Sequence, residues 1–230
     1  MTGEAMGLNG VISSPISNLP NDGLLQKSMQ QISVLRFGVL ISGVGDNLQA
    51  IAKKLNNECS IVLVISSNAS AIGLARAEEK GIQTLSLSDA LYDDPLIADQ
   101  VIAAEFRRCK ADYIIVDDYK PALKEGLLLS FPYKVLCAVP SLFPGEPGED
   151  VIARDLERGM KMSGVTICFE TLGGHGPIIA QEAVRIEEGM TRDELETAIH
   201  EVEHVLYPQV IELLAEGRVQ VDADGRVSIA

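Results

Sequence analysis

Residues 35–56 read LRFGVLISGVGDNLQAIAKKLN, and the pattern changes twice within them. LRFGVLIS is an aliphatic run of strand length, the kind that a sheet covered on both faces buries. GVGDN supplies two glycines and an Asp-Asn pair, the chemistry of a tight turn. NLQAIAKKLN then carries its apolar residues at helical spacing. Strand, glycine-rich turn and helix in that order form the opening unit of an α/β fold.

The same alternation continues. SIVLVISS is a second strand, NASAIGLARAEEKG its helix with Gly81 at the carboxyl cap, and IQTLSL a third strand. DPLIADQVIAAEFRRCK is a helix opened by an acid and closed by bases, as the helix dipole favours. DYIIVDDY and YKVLCAVP follow as buried strands, with a short helix in KEGLLLSF between them. After Pro140 the pattern changes. GEDVIARDLERG is a helix, and MSGVTICFET and PIIAQEAVRI form an antiparallel pair joined by the turn LGGHG. A long helix runs from Thr191, with Thr191 and Glu194 as a capping box and Leu195, Ile199, Val202, Leu206, Val210 and Leu213 as its core-facing stripe. RVQVDADGRVSI closes the chain as a hairpin with an Asp-Gly turn. The fold class is α/β, a mostly parallel twisted sheet with helices on both faces and an antiparallel C-terminal margin. Ligands of such a sheet sit beyond the carboxyl ends of its strands.

Composition agrees. The 230 residues are 47% hydrophobic and only 4% aromatic, which suits aliphatic strands under helices and suffices for a core without staples. Thirty-three acids against 19 bases give a formal charge of -14, which argues against a nucleic-acid backbone or an anionic membrane as partner. Cys59, Cys109, Cys137 and Cys168 are far apart in sequence with no C-x-x-C pair, so they read as reduced thiols and small apolar fillers, not a zinc site. No stretch approaches the roughly 20 apolar residues of a spanning helix, and the expected location is cytoplasmic. Residues 1–33 mix Gly, Pro, Ser and Asn without a period and read as a flexible N-terminal extension; residues 34–230 read as a single domain.

Three places offer chemistry. The first is the turn from Ser42 to Asn47, containing Gly43 and Gly45, where free backbone N–H groups and the helix dipole would receive an anion. A plain β-α turn is the alternative, and Asp46 favours it, since a carboxylate among those donors suits a cap and opposes a phosphate. The second is the end of LCAVPSLFP facing the LGGHG turn, where Cys137 and His175 could act as nucleophile and base, or Cys137 could simply fill apolar space. The third is H-E-V-E-H on the long helix. His200 and His204 have the spacing of a metal pair, but no third ligand follows, and a histidine partnered by Glu203 is the plainer reading.

Taken together, LRFGVLISGVGDNLQAI, VPSLFPGEPG, SGVTICFET, GPIIAQEAV and VEHVLYPQVIELLAEGRV, across about residues 34–221, resemble the phosphoribosylglycinamide formyltransferase family. The resemblance implies a Rossmann-like formyltransferase fold and transfer from 10-formyltetrahydrofolate in purine synthesis. It also implies an active strand Asn-Ile-His-Pro-Ser-Leu-Leu-Pro and an Asp ahead of a later Gly-Gly-Pro. The register set by Pro140, Ser141, Leu142 and Pro144 places Cys137 at the Asn and Val139 at the His, and counting back from Gly176 and Pro177 places Gly174 at the Asp. The implied phosphate loop Gly-Ser-Asn is Gly45, Asp46, Asn47 here. The stretch implied to hold substrate and folate reads Asp117 to Leu123, with Tyr119, Lys120 and Leu123 as its candidates and Pro121 in place of an arginine. A Gln implied to meet the phosphate is His200, while the family's Glu persists as Glu203.

The expectation is therefore a formyltransferase-fold protein whose reagents for folate-dependent transfer are gone. Such a protein would serve as a binding or regulatory subunit, with no cofactor and with an unidentified protein or small molecule as partner; a homodimer is left open. The alternative is a divergent phosphoribosylglycinamide formyltransferase that still uses 10-formyltetrahydrofolate, with His175, Cys137 and Glu170 as its polar candidates.

Overall fold

The computed structural model describes residues 34–55, 57–145 and 149–230. The expected extension over residues 1–33 lies outside them. Strand β1 (Leu35–Ile41) leads through the glycine turn into helix α1 (Asp46–Lys54), and β2 (Cys59–Ser66) into α2 (Ile72–Glu79). The short β3 (Thr84–Ser86) precedes α3 (Pro95–Arg108), whose first turn is capped by the Asp94 carboxylate accepting from Leu96 and Ile97 N–H groups. Then come β4 (Tyr113–Asp117), α4 (Glu125–Leu128), β5 (Val135–Val139) and α5 (Val151–Glu157). The chain continues through β6 (Met162–Thr171), β7 (Gly174–Arg185) and the long α6 (Arg192–Ala215), and finishes with β8 (Val219–Val221) and β9 (Val227–Ile229).

Seven strands form one sheet in the order β3-β2-β1-β4-β5-β6-β7, and β8 and β9 form a separate ribbon. The five strands from β3 to β5 are parallel, and β6 and β7 are antiparallel to their neighbours. Alternation along β1 divides the core. Phe37, Val39 and Ile41 pack with α1, α2 and α6 on one face, while Leu40 packs with Ile102 and Phe106 of α3 on the other. Gly38 lies so close to the Phe106 ring that a Cβ there would collide with it, which lets α3 settle flat on the sheet. Tyr207 of α6 is fully buried, and its hydroxyl donates to the Leu136 carbonyl at 3.1 Å, fixing the last helix over β5.

Two expectations need correction. The turn between β6 and β7 is only Leu172 and Gly173, so Gly174 and His175 belong to a strand, paired with Thr171 and Glu170. A two-residue connection matches the twist of an antiparallel pair, and a five-residue turn is unnecessary. In α6, Val202 is partly buried and packs against the core as expected, but Leu213 is only partly buried, and Glu203 and Leu214 are buried instead. From Val210, a step of four residues returns closer to the sheet than a step of three.

Because the chain runs outward from β1 to β3 and then returns to place β4 on the other side of β1, a crevice opens beyond the carboxyl ends of β1 and β4.

Candidate functional site

The crevice begins at the first turn. Gly45 takes a left-handed conformation (φ 70°, ψ 48°) that a side chain would strain, and it stands at the N-cap of α1 without offering a capping group. Asp46, expected to aim its carboxylate at the loop N–H groups, turns outward to Arg76 at 2.9 Å. The acid that serves the helix start is Asp117, at the end of β4, which accepts from the Leu48 N–H at 2.9 Å. Asn47 completes the cluster, donating its amide to Glu203 at 2.6 Å and to Asp117 at 3.2 Å. Glu203 in turn meets His200 Nδ1 at 3.1 Å. Burial raises the Asp117 carboxyl to about 6, and Glu203 beside it works in the same direction. The hydrogen bond to Glu203 raises His200 above its ordinary value. Gly43 supplies a carbonyl to the Gly73 N–H at 3.1 Å, and the Ser42 hydroxyl accepts from the Lys120 N–H at 2.8 Å, which joins this turn to the loop after β4.

That loop walls a cavity of about 610 Å³, a volume that suits a small-molecule ligand. Tyr119, Lys120 and Leu123 all line it. Lys120 is ion-paired with Asp118, and the Tyr119 hydroxyl donates to that of Tyr92 at 3.0 Å. Asp118 itself sits at φ 54°, an uncommon setting for a residue with a side chain, at the bend that carries the loop over the cavity.

The cavity floor comes from β5, β6 and β7. Cys137 and Cys168 face each other across the β5–β6 pair, and Glu170 faces His175 across β6–β7. Residues two apart on a strand return to the same side, and the irregularity in β6 around Cys168 and Glu170 leaves their side chains converging. Cys137 Sγ lies 3.4 Å from Cys168 Sγ, 3.1 Å from Glu170 Oε2 and 3.6 Å from His175 Nδ1. Glu170 Oε2 and His175 Nδ1 are 2.9 Å apart. The hydrogen bond with Cys168 and then burial push the Cys137 thiol well up. The Cys168 thiol is pulled down to about 6 by the Cys137 hydrogen bond and then by His175, while Cys168 and Glu170 raise His175 to about 10.

Behind the floor, the turn after β5 is held from within. Asp155, fully buried, accepts from Ser141 at 2.9 Å, Ser163 at 2.7 Å and Arg154 at 2.8 Å, and Thr166 donates to the Ser141 carbonyl at 2.7 Å. Val139 packs in an apolar cluster with Cys137, Cys168 and Val151. Gly174 contributes no side chain and holds φ 96°.

The structure thus gathers Cys137, Glu170 and His175 on the cavity floor, Tyr119, Lys120 and Leu123 on its wall, and Asn47, His200 and Glu203 beside the first turn. Cys168 escaped the sequence reading, which set the four cysteines apart by their spacing. The available signal was the alternation Cys168, Glu170 with His175 on the returning strand. On α6 the His200 and His204 rings stack at 6.3 Å between centroids, with His200 held by Glu203. Among the described residues, the three groups close enough to share a metal ion are Cys137, Cys168 and His175. No described helix is long and apolar enough to cross a membrane.

Comparison with known proteins gives one result throughout. The family model described as formyl transferase matches residues 35–211. Phosphoribosylglycinamide formyltransferase of Bacillus subtilis (strain 168) is 32% identical over 183 residues, covering 78% of this chain and 94% of that protein. The human trifunctional purine biosynthetic protein adenosine-3 is 31% identical over 229 residues, which are 97% of this chain but 22% of that protein. The crystal structure of glycinamide ribonucleotide transformylase 1 from Symbiobacterium toebii superimposes with a TM-score of 0.80 at 37% identity, covering 86% of this chain and 94% of that one.

Proposed function

Since the chain belongs to the formyl transferase family, we propose that it keeps the family's cleft as a small-molecule binding site without catalysing formyl transfer from 10-formyltetrahydrofolate to glycinamide ribonucleotide. The observation that carries this reading is what stands at the three implied reagent positions: a thiol at Cys137, an isopropyl group at Val139 and no side chain at Gly174. Polarising a formyl group and moving its proton needs donors and an acid or base aimed at the developing charge, and losing one such donor typically costs about 10²–10³ in rate. The φ of 96° at Gly174 adds to this, because an aspartate there would be strained. The scaffold behind the site, from Ser141 to Asp155, supports a retained binding role for the cleft.

The test is direct. The purified protein, incubated with glycinamide ribonucleotide and 10-formyltetrahydrofolate, should form no formylated product, and restoring Cys137→Asn with Val139→His should recover little while Gly174 remains. Turnover by the unaltered chain at a rate ordinary for a transferase overturns the reading.

A second reading rests on the contact of Glu170 with His175 beside Cys137. An imidazole held by a carboxylate next to a thiol can move protons, so a divergent transferase could work with that set. Formylation by the wild type that disappears in Cys137→Ala selects this reading over the first.

A further inference from the structure

Cys137, Cys168 and His175 are drawn from three neighbouring strands, and one ligand atom from each lies within 4.8 Å of the other two. We propose that these three side chains bind one zinc ion at the floor of the cavity, with the fourth coordination position turned toward the cavity beside Glu170.

The distances fit an ion of that type. With Zn–S near 2.3 Å and Zn–N near 2.0–2.1 Å, a tetrahedral site needs edges of about 3.8 Å between two sulfurs and about 3.5 Å between sulfur and nitrogen. The observed separations are 3.4 Å for Cys137 to Cys168 and 3.6 Å for Cys137 to His175 Nδ1. Those two edges need adjustments of a few tenths of an ångström, and the third, from Cys168 to His175, lies within 4.8 Å. Two soft thiolates and an imidazole select zinc over magnesium or calcium, whose sites are built from oxygens. The donors are held by strand pairing, so the site is rigid before metal arrives.

The fourth position follows from burial. Cys168 is fully buried, whereas Cys137 and His175 line the cavity, so the exposed side of the ion faces the ligand space. Three protein ligands with an open position distinguish a chemically active zinc from a closed structural one. Glu170 Oε2, 3.1 Å from Cys137 Sγ and 2.9 Å from His175 Nδ1, stands where it could occupy that position or accept a proton from a water bound there. The ligand class for this floor is a small molecule with a carbonyl or other hard oxygen that can meet the ion.

This inference goes beyond the proposed function and stands whatever formyl acceptor or donor the cleft admits, because metal content is measured without an activity assay. The full-length protein, reduced and stripped of metal, should take up about one zinc per chain by elemental mass spectrometry. Cobalt(II) in place of zinc should give the ligand-field and thiolate charge-transfer bands of a tetrahedral site with two sulfurs. Cys168→Ser and His175→Ala should each weaken zinc by more than about 100-fold, since even outer-shell changes cost 10–100-fold. Cys109→Ser, in a different part of the core, should leave uptake unchanged. Circular dichroism in the presence of a chelator identifies any variant that fails to fold, and the wild type decides independently of the variants. Wild-type protein that stays folded and takes up no zinc overturns the proposal. So does a cobalt spectrum without thiolate bands, or oxidation of Cys137 and Cys168 to a disulfide as the only change at the site.

Discussion

Two polar clusters lie on the same sheet, and they are satisfied in opposite ways. At the crevice between β1 and β4, Asp117 of β4 and Glu203 of α6 accept from the Leu48 N–H and the Asn47 amide of α1, and Glu203 also meets the His200 imidazole within α6. The contacts from α1 tie that helix to β4 and to α6. At the margin, Cys137, Cys168, Glu170 and His175 chiefly face one another and the cavity. The first cluster holds the fold together. The second is a set of reactive groups kept close by strands whose pairing does not depend on them. A buried polar group can thus be part of the frame or part of the site, and its partners distinguish the two.

Substitutions separate the clusters by how they affect stability. Asn47→Leu removes the donor shared by two buried acids, and at about 1.5–3 kcal/mol per hydrogen bond to a charged group it should lower the unfolding free energy by about 4 kcal/mol. Urea denaturation measures it, and a variant as stable as the wild type erases the distinction between the clusters.

The next effect depends on pH. Asp117 rises from 3.8 to about 6 in the folded chain because burial opposes its charge. The folded state therefore holds a proton that the unfolded state has released. Its contribution is fully present below about pH 4 and is lost as pH rises through about 6, to the extent of about 3 kcal/mol. Asp117→Asn should flatten that slope in denaturation midpoints taken from pH 4 to 7.

At the margin, Cys168→Ala should cost only about 1–2 kcal/mol, the value of a small buried side chain, as thermal or urea unfolding in the presence of a chelator would record. A loss as large as that of Asn47→Leu would make the thiols part of the frame. Smallest is Asp46→Asn. The Asp46–Arg76 pair is substantially exposed, and its loss should change stability by less than about 1 kcal/mol, less still in high salt.

The first unit was readable because its signals are local: an aliphatic run, two glycines, then helical spacing, which became β1, the turn and α1. What serves the start of α1 was not readable. Asp46 is adjacent in sequence, yet the left-handed Gly45 and the nearby Arg76 turn it away, and Asp117, 69 residues from Leu48, takes the role. The cavity floor was hidden for a related reason. Cys137 and Cys168 are 31 residues apart and meet only through the register of β5 on β6, a property set by packing across the whole sheet. Shortening the expected LGGHG turn to two residues moved His175 from a loop into a strand and so onto Glu170. Cys137, Glu170 and His175 were candidates by residue type; their convergence required the pairing.

The bond between Asn47 and Glu203 joins residues 156 positions apart. During synthesis at about 5–20 residues per second, α1 leaves the ribosome many seconds before its partner on α6 exists. Loop closure over such a span delays the reward for forming the contact, a feature of high contact order that slows folding. Until α6 docks, two acids and an amide at the head of the sheet remain hydrated. The final assembly of this crevice is therefore a late event, governed by the arrival of the last helix.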